Sequence, residues 1–198
     1  MNGQQIKDNT IRHLGPSVMF TILTVIAFGL IYPLVMTAIS QLLFPAQANG
    51  SMVYQNGKPV ASDIIGQLWK KPEYFHGRPS AAGNGYDPTS TGATNLGPTS
   101  KKLIDATKAA IVALKKENPD AAGPVPMDLV TSSASGIDPD ISPEAAYYQA
   151  PRIAKARHIS VAAVDAIVAR NEKLRALGFL GEPRVNVLEL NMALDAVR

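Results

Sequence analysis

Near its N-terminus the chain has a long run without charged side chains. Residues 14–57 contain no Asp, Glu, Lys or Arg, and residues 17–44 within this run are mainly apolar. A helix needs about 20 apolar residues to cross the hydrocarbon core of a bilayer, so this stretch is long enough even when tilted. The sequence therefore predicts a transmembrane helix over residues 14–44, with the bilayer core at about residues 17–37.

One proline and two polar residues stand out within this predicted helix. Pro33 lacks the N–H that would donate to the carbonyl of Gly29, which predicts a kink near residue 33. Thr37 and Gln41 lie one helical turn apart, and polar side chains in membranes hydrogen-bond to neighbouring helices. We therefore expect both positions to face a partner. The alternative is that the hydroxyl side chains of the span bond back to their own helix.

Charges next to the span predict its orientation. Lys7 and Arg12 precede it, whereas Lys58 is the single basic residue within about 15–20 residues after it. This bias places residues 1–13 in the cytoplasm and residues 45–198 on the opposite side of the membrane. Residues 46–48, Ala-Gln-Ala, resemble a signal-peptide cleavage site. The apolar run is about twice as long as the hydrophobic region of a signal peptide, which predicts a retained anchor.

The composition excludes several classes of protein. The 19 Lys and Arg residues nearly balance the 16 Asp and Glu residues, and the basic residues are scattered, so no nucleic-acid-binding surface is predicted. The absence of cysteine excludes disulfides, thiolate nucleophiles and cysteine metal sites. Hydrophobic residues make up 46% of the chain, and residues 45–198 are numerous enough to form one core.

Turn and helix signals predict a small α+β domain after the span. Asn56-Gly57 predicts a β-hairpin, and a helix is predicted from Thr99 or Ser100 to Glu117. The apolar spacing of that helix predicts a buried stripe made of Leu103, Ile104, Ile111 and Leu114.

The C-terminal half of the domain is predicted to alternate helices and strands. Ser142, followed by proline, predicts the start of one helix, and Ser160 predicts the start of another. Residues 127–131 and 184–188 are predicted to be strands, and residues 191–194 a closing helical turn.

Few residues form a pattern that predicts chemistry. Residues 92–99 differ at one position from the phosphate-binding pattern G-x-x-x-x-G-K-[ST]. Pro98 replaces its lysine, so a structural turn is predicted. The histidines are His13, His76 and His158, and no pair of them has metal-ligand spacing, so no metal site is predicted. We interpret His76 as a hydrogen-bonded loop residue rather than a base.

A long loop and one serine leave other functions open. Residues 77–98 are rich in Gly, Pro, Ser, Thr and Asn, and irregular segments of this length are often binding loops. The alternative functions are hydrolysis, in which Ser135 would act with His76 or His158, and binding. The chain would then be a solitary membrane-anchored hydrolase or binding domain in the periplasm.

Six runs of residues occur in order behind the span: residues 65–67 (IGQ), 74–80 (YFHGRPS), 95–98 (NLGP), 133–143 (SASGIDPDISP), 152–157 (RIAKAR) and 181–188 (GEPRVNVL). Together they closely resemble the C subunit of the bacterial Kdp potassium-transporting ATPase. Any one run is weak evidence, but six in order are highly specific. The resemblance covers nearly the whole chain.

The resemblance implies an accessory, non-catalytic subunit of an ATP-driven, high-affinity potassium uptake complex in the bacterial inner membrane. The implied partners are a P-type ATPase pump subunit, a channel-like potassium-binding subunit and a small single-span subunit. The family is credited with assembling or stabilising the complex, and has been proposed to act as a catalytic chaperone that raises the ATP affinity of the pump subunit. The implied nucleotide contacts are Ser133, Ser135, Gly136 and Gln149, with ATP held through the pump subunit rather than as a tightly bound cofactor.

The residues around these positions disfavour tight phosphate binding. Residues 117–151 contain no Lys or Arg, whereas Asp138, Asp140 and Glu144 would repel a triphosphate. The predicted orientation also places them on the side of the membrane opposite to cytoplasmic ATP. We therefore expect assembly or external capping of the complex rather than direct nucleotide contact.

Overall fold

The structure is a computed structural model that describes the backbone of residues 3–197 and the side chains of residues 12–197. The side chain of Lys7, which enters the orientation argument, lies outside this range. The chain forms two compact units, of which the first ends at Met52 and the second begins at Val53. The first unit is helical, and the second is a small domain of helices and short strands.

The first unit is a long apolar helix followed by a short one. Helical backbone runs through α1 (Gly3–Thr24), a π-helical segment (Val25–Ile31) and α2 (Tyr32–Leu43), and α3 (Pro45–Ala48) follows. The part from Arg12 to Leu43 has 32 residues and no buried side chain. At 1.5 Å per residue it is about 48 Å long, which exceeds a hydrocarbon core of about 30 Å. Within residues 3–197, it is the single helix long and apolar enough to be a transmembrane helix.

The helical hydrogen bonding changes just before Pro33. The π-helical segment covers Val25–Ile31 and ends two residues before the proline. Local π-helical turns re-satisfy backbone groups that a proline leaves without an intrahelical donor. At the position of the predicted kink, the structure therefore shows a wider helical segment on the N-terminal side of Pro33.

The domain begins with a hairpin and a long irregular segment. Strands β1 (Met52–Gln55) and β2 (Lys58–Ser62) pair, and Asn56 and Gly57 between them have φ of 54° and 74°, as in a type I′ turn. The predicted hairpin is confirmed. Residues 63–100 then contain no helix or strand before α4 (Lys101–Glu117) begins.

The extent of α4 agrees with the prediction, but the prediction that its apolar stripe is buried is wrong. Ile104 is exposed, and Leu103, Ile111 and Leu114 are only half-buried. Leu114, near the C-terminal end, is the residue of this stripe that packs against the core. The remainder of the helix therefore has an apolar face that the described residues do not bury.

The rest of the domain surrounds one hydrophobic core. It contains a 3₁₀ turn (Met127–Leu129), β3 (Asp140–Ile141), α5 (Pro143–Arg157), α6 (Val161–Asn171), β4 (Glu172–Lys173), β5 (Arg184–Asn186) and α7 (Val187–Asp195). The short strands form an antiparallel sheet in the order β3–β5–β4, in which Ile141 lies opposite Val185. The core lies between this sheet and the last three helices, and its largest fully buried apolar side chains include Phe75, Ile153, Leu190 and Leu194.

Side-chain caps determine where two helices begin. The Ser142 hydroxyl accepts a hydrogen bond from the N–H of Ala145 (3.1 Å), and the Ser160 hydroxyl accepts one from the N–H of Ala163 (3.2 Å). Each cap satisfies one of the N–H groups that have no partner inside the helix. The predicted starts of α5 and α6 are confirmed.

A third cap shortens a predicted strand. The side-chain oxygen of Asn186 accepts hydrogen bonds from the N–H groups of Leu188 and Glu189 (3.0 and 3.2 Å). The strand predicted over residues 184–188 therefore ends at Asn186, and α7 begins at Val187 rather than at residue 191.

The strand predicted over residues 127–131 is wrong. The carbonyl of Met127 accepts hydrogen bonds from the N–H groups of Val130 and Thr131 (3.1 and 3.0 Å) and from the Thr131 hydroxyl (2.7 Å). These local bonds close a turn and occupy the backbone groups that a strand would offer to a neighbour.

Candidate functional site

Residues 72–76 form an irregular segment, a turn followed by coil, that side chains hold against the helical core. The segment has no helix or strand, so its backbone groups need other partners. Asn191 on α7 donates to the carbonyl of Phe75 (3.0 Å) and accepts from its N–H (2.8 Å). Arg157 on α5 donates from Nε to the carbonyl of Glu73 (2.7 Å). Side chains of α5 and α7 thus satisfy backbone groups that secondary structure would otherwise pair.

Gln149 on α5 holds the end of the same segment. Its side chain is 1% exposed. Its Oε1 accepts from the N–H of His76 (2.8 Å) and from Nη2 of Arg152 (2.9 Å). Its Nε2 donates to the carbonyls of His76 (3.0 Å) and Ala145 (3.2 Å). Because an amide side chain has two donors and two principal acceptor sites, its hydrogen bonds are all made within the domain.

Arg152 holds the other end of the segment from inside the domain. It is buried, and it donates from Nη2 to the carbonyl of Tyr74 (3.1 Å) and from Nη1 to the carbonyl of Pro72. Burial lowers the pKa of Arg152, and the charge of Glu117, whose carboxylate lies 3.4 Å from Nε, opposes this shift. This buried guanidinium is therefore compensated by one carboxylate and by several carbonyl groups.

His76 is a hydrogen-bonded loop residue, as interpreted from the sequence. Its Nδ1 lies 2.9 Å from the carboxylate of Glu117, and its Nε2 lies 3.0 Å from the carbonyl of Lys71. The hydrogen bond from His76 is the main factor that lowers the pKa of Glu117, and burial of the carboxyl opposes it. Both ring nitrogens thus have oxygen partners, so neither faces an open position for a substrate.

Three of the residues with an implied nucleotide role lie in one turn. The buried Ser133 accepts a hydrogen bond through its hydroxyl from the N–H of Gly136 (2.8 Å). The exposed Ser135 accepts one from the N–H of Ile137 (3.2 Å). Among the described residues, no hydrogen bond joins this turn to Gln149. The structure therefore groups Ser133, Ser135 and Gly136, and places the amide of Gln149 in a different network.

Gly136 is required by the packing of this turn. Its φ is 72°, and a Cβ there would lie 2.7 Å from the Cβ of Ala82 and 2.8 Å from the carbonyl of Gly92. The Ser80 hydroxyl donates to the carbonyl of Gly136 (2.6 Å), and the N–H of Gly92 donates to the carbonyl of Ser135 (2.9 Å). The long loop over residues 77–98 is thus fastened to the turn through close backbone contacts.

The polar residues of the span use different partners. The Thr21 hydroxyl donates to the carbonyl of Ser17 (2.9 Å), so at this position the back-bonding alternative is confirmed. The amide of Gln41 exchanges two hydrogen bonds with that of Asn49 (3.0 and 3.3 Å). Thr37 is exposed on the same helix. A partner-facing role for Thr37 and Gln41 stays a prediction.

The described residues do not form the constellation of a hydrolase. His158 ends α5 with φ of 57° and is exposed. Within residues 12–197, no hydrogen bond joins Ser135 to His76 or His158. In the same part of the chain, no group of three or more His, Asp or Glu side chains is arranged to hold a metal ion.

Sequence reasoning missed an exposed hairpin between β4 and β5. We call residues 174–180 the apolar hairpin. Ala176 and Leu180 exchange two backbone hydrogen bonds of 2.9 Å each, and Leu177 and Gly178 between them have φ of 53° and 82°. Its large side chains point away from the core, with exposures of 73% for Leu174, 82% for Leu177, 69% for Phe179 and 51% for Leu180. The available signal was four large apolar residues beside a turn glycine.

The fold defines a membrane protein with one N-terminal span and a small α+β domain. A model of the family described as K+-transporting ATPase, c chain, matches residues 14–196. The chain belongs to this family, the KdpC subunits, and is an accessory subunit of a potassium uptake complex. This membership does not favour the alternative of a solitary hydrolase or binding domain.

Three similar curated proteins, each named potassium-transporting ATPase KdpC subunit, illustrate the match. The one from Acidobacterium capsulatum is 52% identical over 183 residues, covering 92% of this chain and 97% of the relative. That from Bradyrhizobium diazoefficiens is 51% identical over 197 residues, covering 93% and 97%. That from Koribacter versatilis is 48% identical over 188 residues, covering 94% and 96%. The similarity thus extends over nearly the full length of each protein.

Proposed function

We propose that this chain is a non-catalytic subunit that assembles and stabilises the potassium-transporting ATPase by binding partner subunits through its domain. The partners we propose are the P-type ATPase pump subunit, the channel-like potassium-binding subunit and the small single-span subunit. The names of the relatives support a role in this ATPase. The non-catalytic role is supported by polar side chains, such as those of Gln149 and Asn191, whose hydrogen bonds hold loops of the domain.

The apolar hairpin is the observation that carries this proposal. Four large apolar side chains are exposed within seven residues, whereas the apolar residues of a soluble surface are usually scattered. Burial of such side chains in a partner would be favourable by about 25 cal/mol per Å² of apolar surface. An exposed apolar tip on a defined turn is therefore suited to insertion into a partner.

The backbone of Leu177 strengthens the argument. Its φ of 53° lies in the left-handed region, which is about 1–2 kcal/mol unfavourable for a residue with a Cβ. Its side chain is 82% exposed, so no burial within the domain compensates for this strain. A glycine or asparagine at this position would suit the turn better. The leucine is thus explained by binding rather than by folding.

The test is to replace Leu177 with asparagine and to co-purify the complex in mild detergent. Asparagine tolerates the left-handed conformation, so the domain is expected to keep or slightly raise its melting temperature while the yield of partner subunits falls. Val112→Asn on α4 is the matched control, since Val112 is also exposed at 68%. An unchanged yield of partner subunits with Leu177→Asn would contradict the proposal.

We also propose that the N-terminus is cytoplasmic and that residues 45–198 lie on the periplasmic side of the inner membrane. Arg12 and Lys7 before the span support this orientation, together with the lack of charge up to Gly57. In this arrangement the apolar hairpin meets the periplasmic surfaces of its partners. Thr37 and Gln41 are then proposed to contact a partner helix within the membrane.

For Gln149 we propose a positioning role rather than direct contact with ATP. Its amide makes four hydrogen bonds within the domain, and it would have to break some of them to bind a nucleotide. Ser133, Ser135 and Gly136 are proposed to hold the long loop in the same way. An effect of the chain on the ATP affinity of the pump subunit would then be indirect, through assembly.

A further inference from the structure

An open groove of about 1150 Å³ crosses the domain beside α5 and α6. Residues 120–128 and 182–184 complete its walls. The groove is larger than typical small-molecule pockets, which measure roughly 300–1,000 Å³. Much of its apolar lining consists of rings, namely Pro124, Pro126, Tyr147, Tyr148, Pro151 and Pro183. We call it the acidic groove because of the charges that accompany these rings.

The acidic groove has an excess of negative charge. Seven carboxylates and two guanidinium groups line it. Four of the carboxylates have basic partners, in the pairs Asp138–Arg78, Asp140–Arg184, Asp120–Lys155 and Glu182–Arg175. A fifth, Asp128, accepts hydrogen bonds from the N–H and hydroxyl of Ser142. The remaining two, Glu144 and Asp165, make no ion pair with any residue that the structure describes.

Asp140 lies among charges of both signs at this groove. Burial is the main factor that raises the pKa of Asp140; the charges of Arg184 and Lys173 lower this pKa, and those of Asp138 and Glu189 raise it. An added positive charge in the groove would therefore interact favourably with several carboxylates at once.

The shape and the charges of the groove fit an extended basic peptide. Tyrosine rings, with proline side chains beside them, offer an apolar surface for extended segments of polyproline II type, which need no internal hydrogen bonds. Carboxylates spaced along such a groove complement Lys or Arg side chains. In the described part of the chain, no three His, Asp or Glu side chains converge on a metal position. The negative charge is thus distributed, as a peptide requires, rather than gathered around one ion.

We infer that the acidic groove binds an extended Lys- or Arg-bearing segment of a partner subunit in the potassium-transporting ATPase. Its rings pack against the backbone and apolar side chains of that segment, and Glu144 and Asp165 pair with its basic side chains. This inference rests on the proposed function, in which the domain binds partner subunits. It goes further by naming a second surface and the chemistry of its occupant.

The test is site-specific photo-crosslinking in the complete complex. Tyr147 is 39% exposed in the groove and is replaced by the photoreactive p-benzoyl-phenylalanine, which keeps an aromatic ring at this position. After irradiation of the purified complex, mass spectrometry identifies the crosslinked peptide. The expected product is a Lys- or Arg-bearing segment of another subunit. The same replacement at Tyr54, 62% exposed on β1 and outside the groove, is the matched control and should not give that peptide.

A charge change tests the electrostatic part of the inference. Asp165→Lys on α6 is expected to lower the crosslinking yield at residue 147 about threefold. A higher salt concentration is expected to lower the same yield when Asp165 is retained. Asp105→Lys on α4 makes the same change in charge outside the groove and should leave the yield unchanged.

The outcomes separate this inference from the proposed function. An intact complex with no crosslink from residue 147, or with crosslinks only to this chain itself, would overturn the acidic groove as a docking site. A yield that responds to neither Asp165→Lys nor salt would do the same. Purification of the chain without any partner subunit would instead overturn the proposed function, and the inference with it.

Discussion

Replacing Gln149 with alanine is predicted to destabilise the domain by about 3 kcal/mol. The side chain makes four hydrogen bonds and is 1% exposed. A hydrogen bond contributes about 1 kcal/mol net, and a buried partner left unsatisfied adds about 1–3 kcal/mol. His76 is half-buried, so water replaces part of the loss there, and Arg152 keeps its other acceptors. The predicted loss of stability is therefore smaller than the summed free energies of four fully buried hydrogen bonds.

The assay is urea unfolding of the full chain in detergent, followed by tryptophan fluorescence. Trp69 is the single tryptophan, and its ring centroid lies 4.8 Å from that of Tyr74, within the segment that Gln149 holds. Its emission therefore reports on this part of the domain. For a domain of this size, 3 kcal/mol corresponds to a melting temperature lower by roughly 10 °C.

Gln55→Ala is the matched control, because it makes the same chemical change at an exposed position of β1. Its unfolding free energy is expected to stay within about 0.5 kcal/mol of wild type. The same small change for Gln149→Ala would refute the reasoning. The interpretation of ATP-binding measurements depends on this result. Weaker ATP binding by Gln149→Ala indicates nucleotide contact only if the stability of the domain is unchanged.

The turn at Gly136, the partly exposed carboxylate of Glu117 and the orientation of the span each give one further prediction. Gly136→Ala is predicted to lower the unfolding free energy by at least about 2 kcal/mol, because its φ is 72° and a Cβ would approach another Cβ to 2.7 Å. Gly97→Ala, with open space around it, should have little effect in the same titration. The hydrogen bond from His76 lowers the pKa of Glu117 below its ordinary value of 4.5. The ionised carboxylate thus stabilises the fold above that value, and stability is lost as the pH falls through the lowered pKa. Glu117→Gln should flatten this dependence below the ordinary value of 4.5, and an unchanged slope there would contradict it. Lys58→Cys introduces a unique cysteine, which should react with a membrane-impermeant maleimide in intact spheroplasts. Labelling only after lysis would reverse the proposed orientation.

Several features that depend on neighbouring residues could be predicted from the sequence. The span follows from a long stretch without charge, because each charged side chain in hydrocarbon is costly whatever the rest of the chain does. The hairpin at Asn56-Gly57 and the helix starts at Ser142 and Ser160 follow from local turn and cap chemistry. The family was identified from the order of the six matching runs along the chain, and not from local physical chemistry.

The partners of buried polar side chains depended on the tertiary structure. Gln149 binds the backbone of His76 across 73 positions, and Asn191 binds that of Phe75 across 116 positions. No local pattern encodes such pairs, since they form only after α5 and α7 have packed around the irregular segment at residues 72–76. The cap at Asn186 is by contrast a local feature, and alternation alone predicted that the strand would continue beyond it.

The positions of the candidate binding surfaces also depended on the tertiary structure. In the sequence, the leucines and phenylalanine of residues 174–180 do not differ from core residues, and only the fold shows that they are exposed. The rings and carboxylates of the acidic groove come from segments between residues 120 and 183 that the folded domain brings together. The sequence by itself determined the apolar span, the hairpin turn, the starts of two helices and the family. The tertiary structure decided which residues are left to bind a partner, because exposure depends on everything that packs around a side chain.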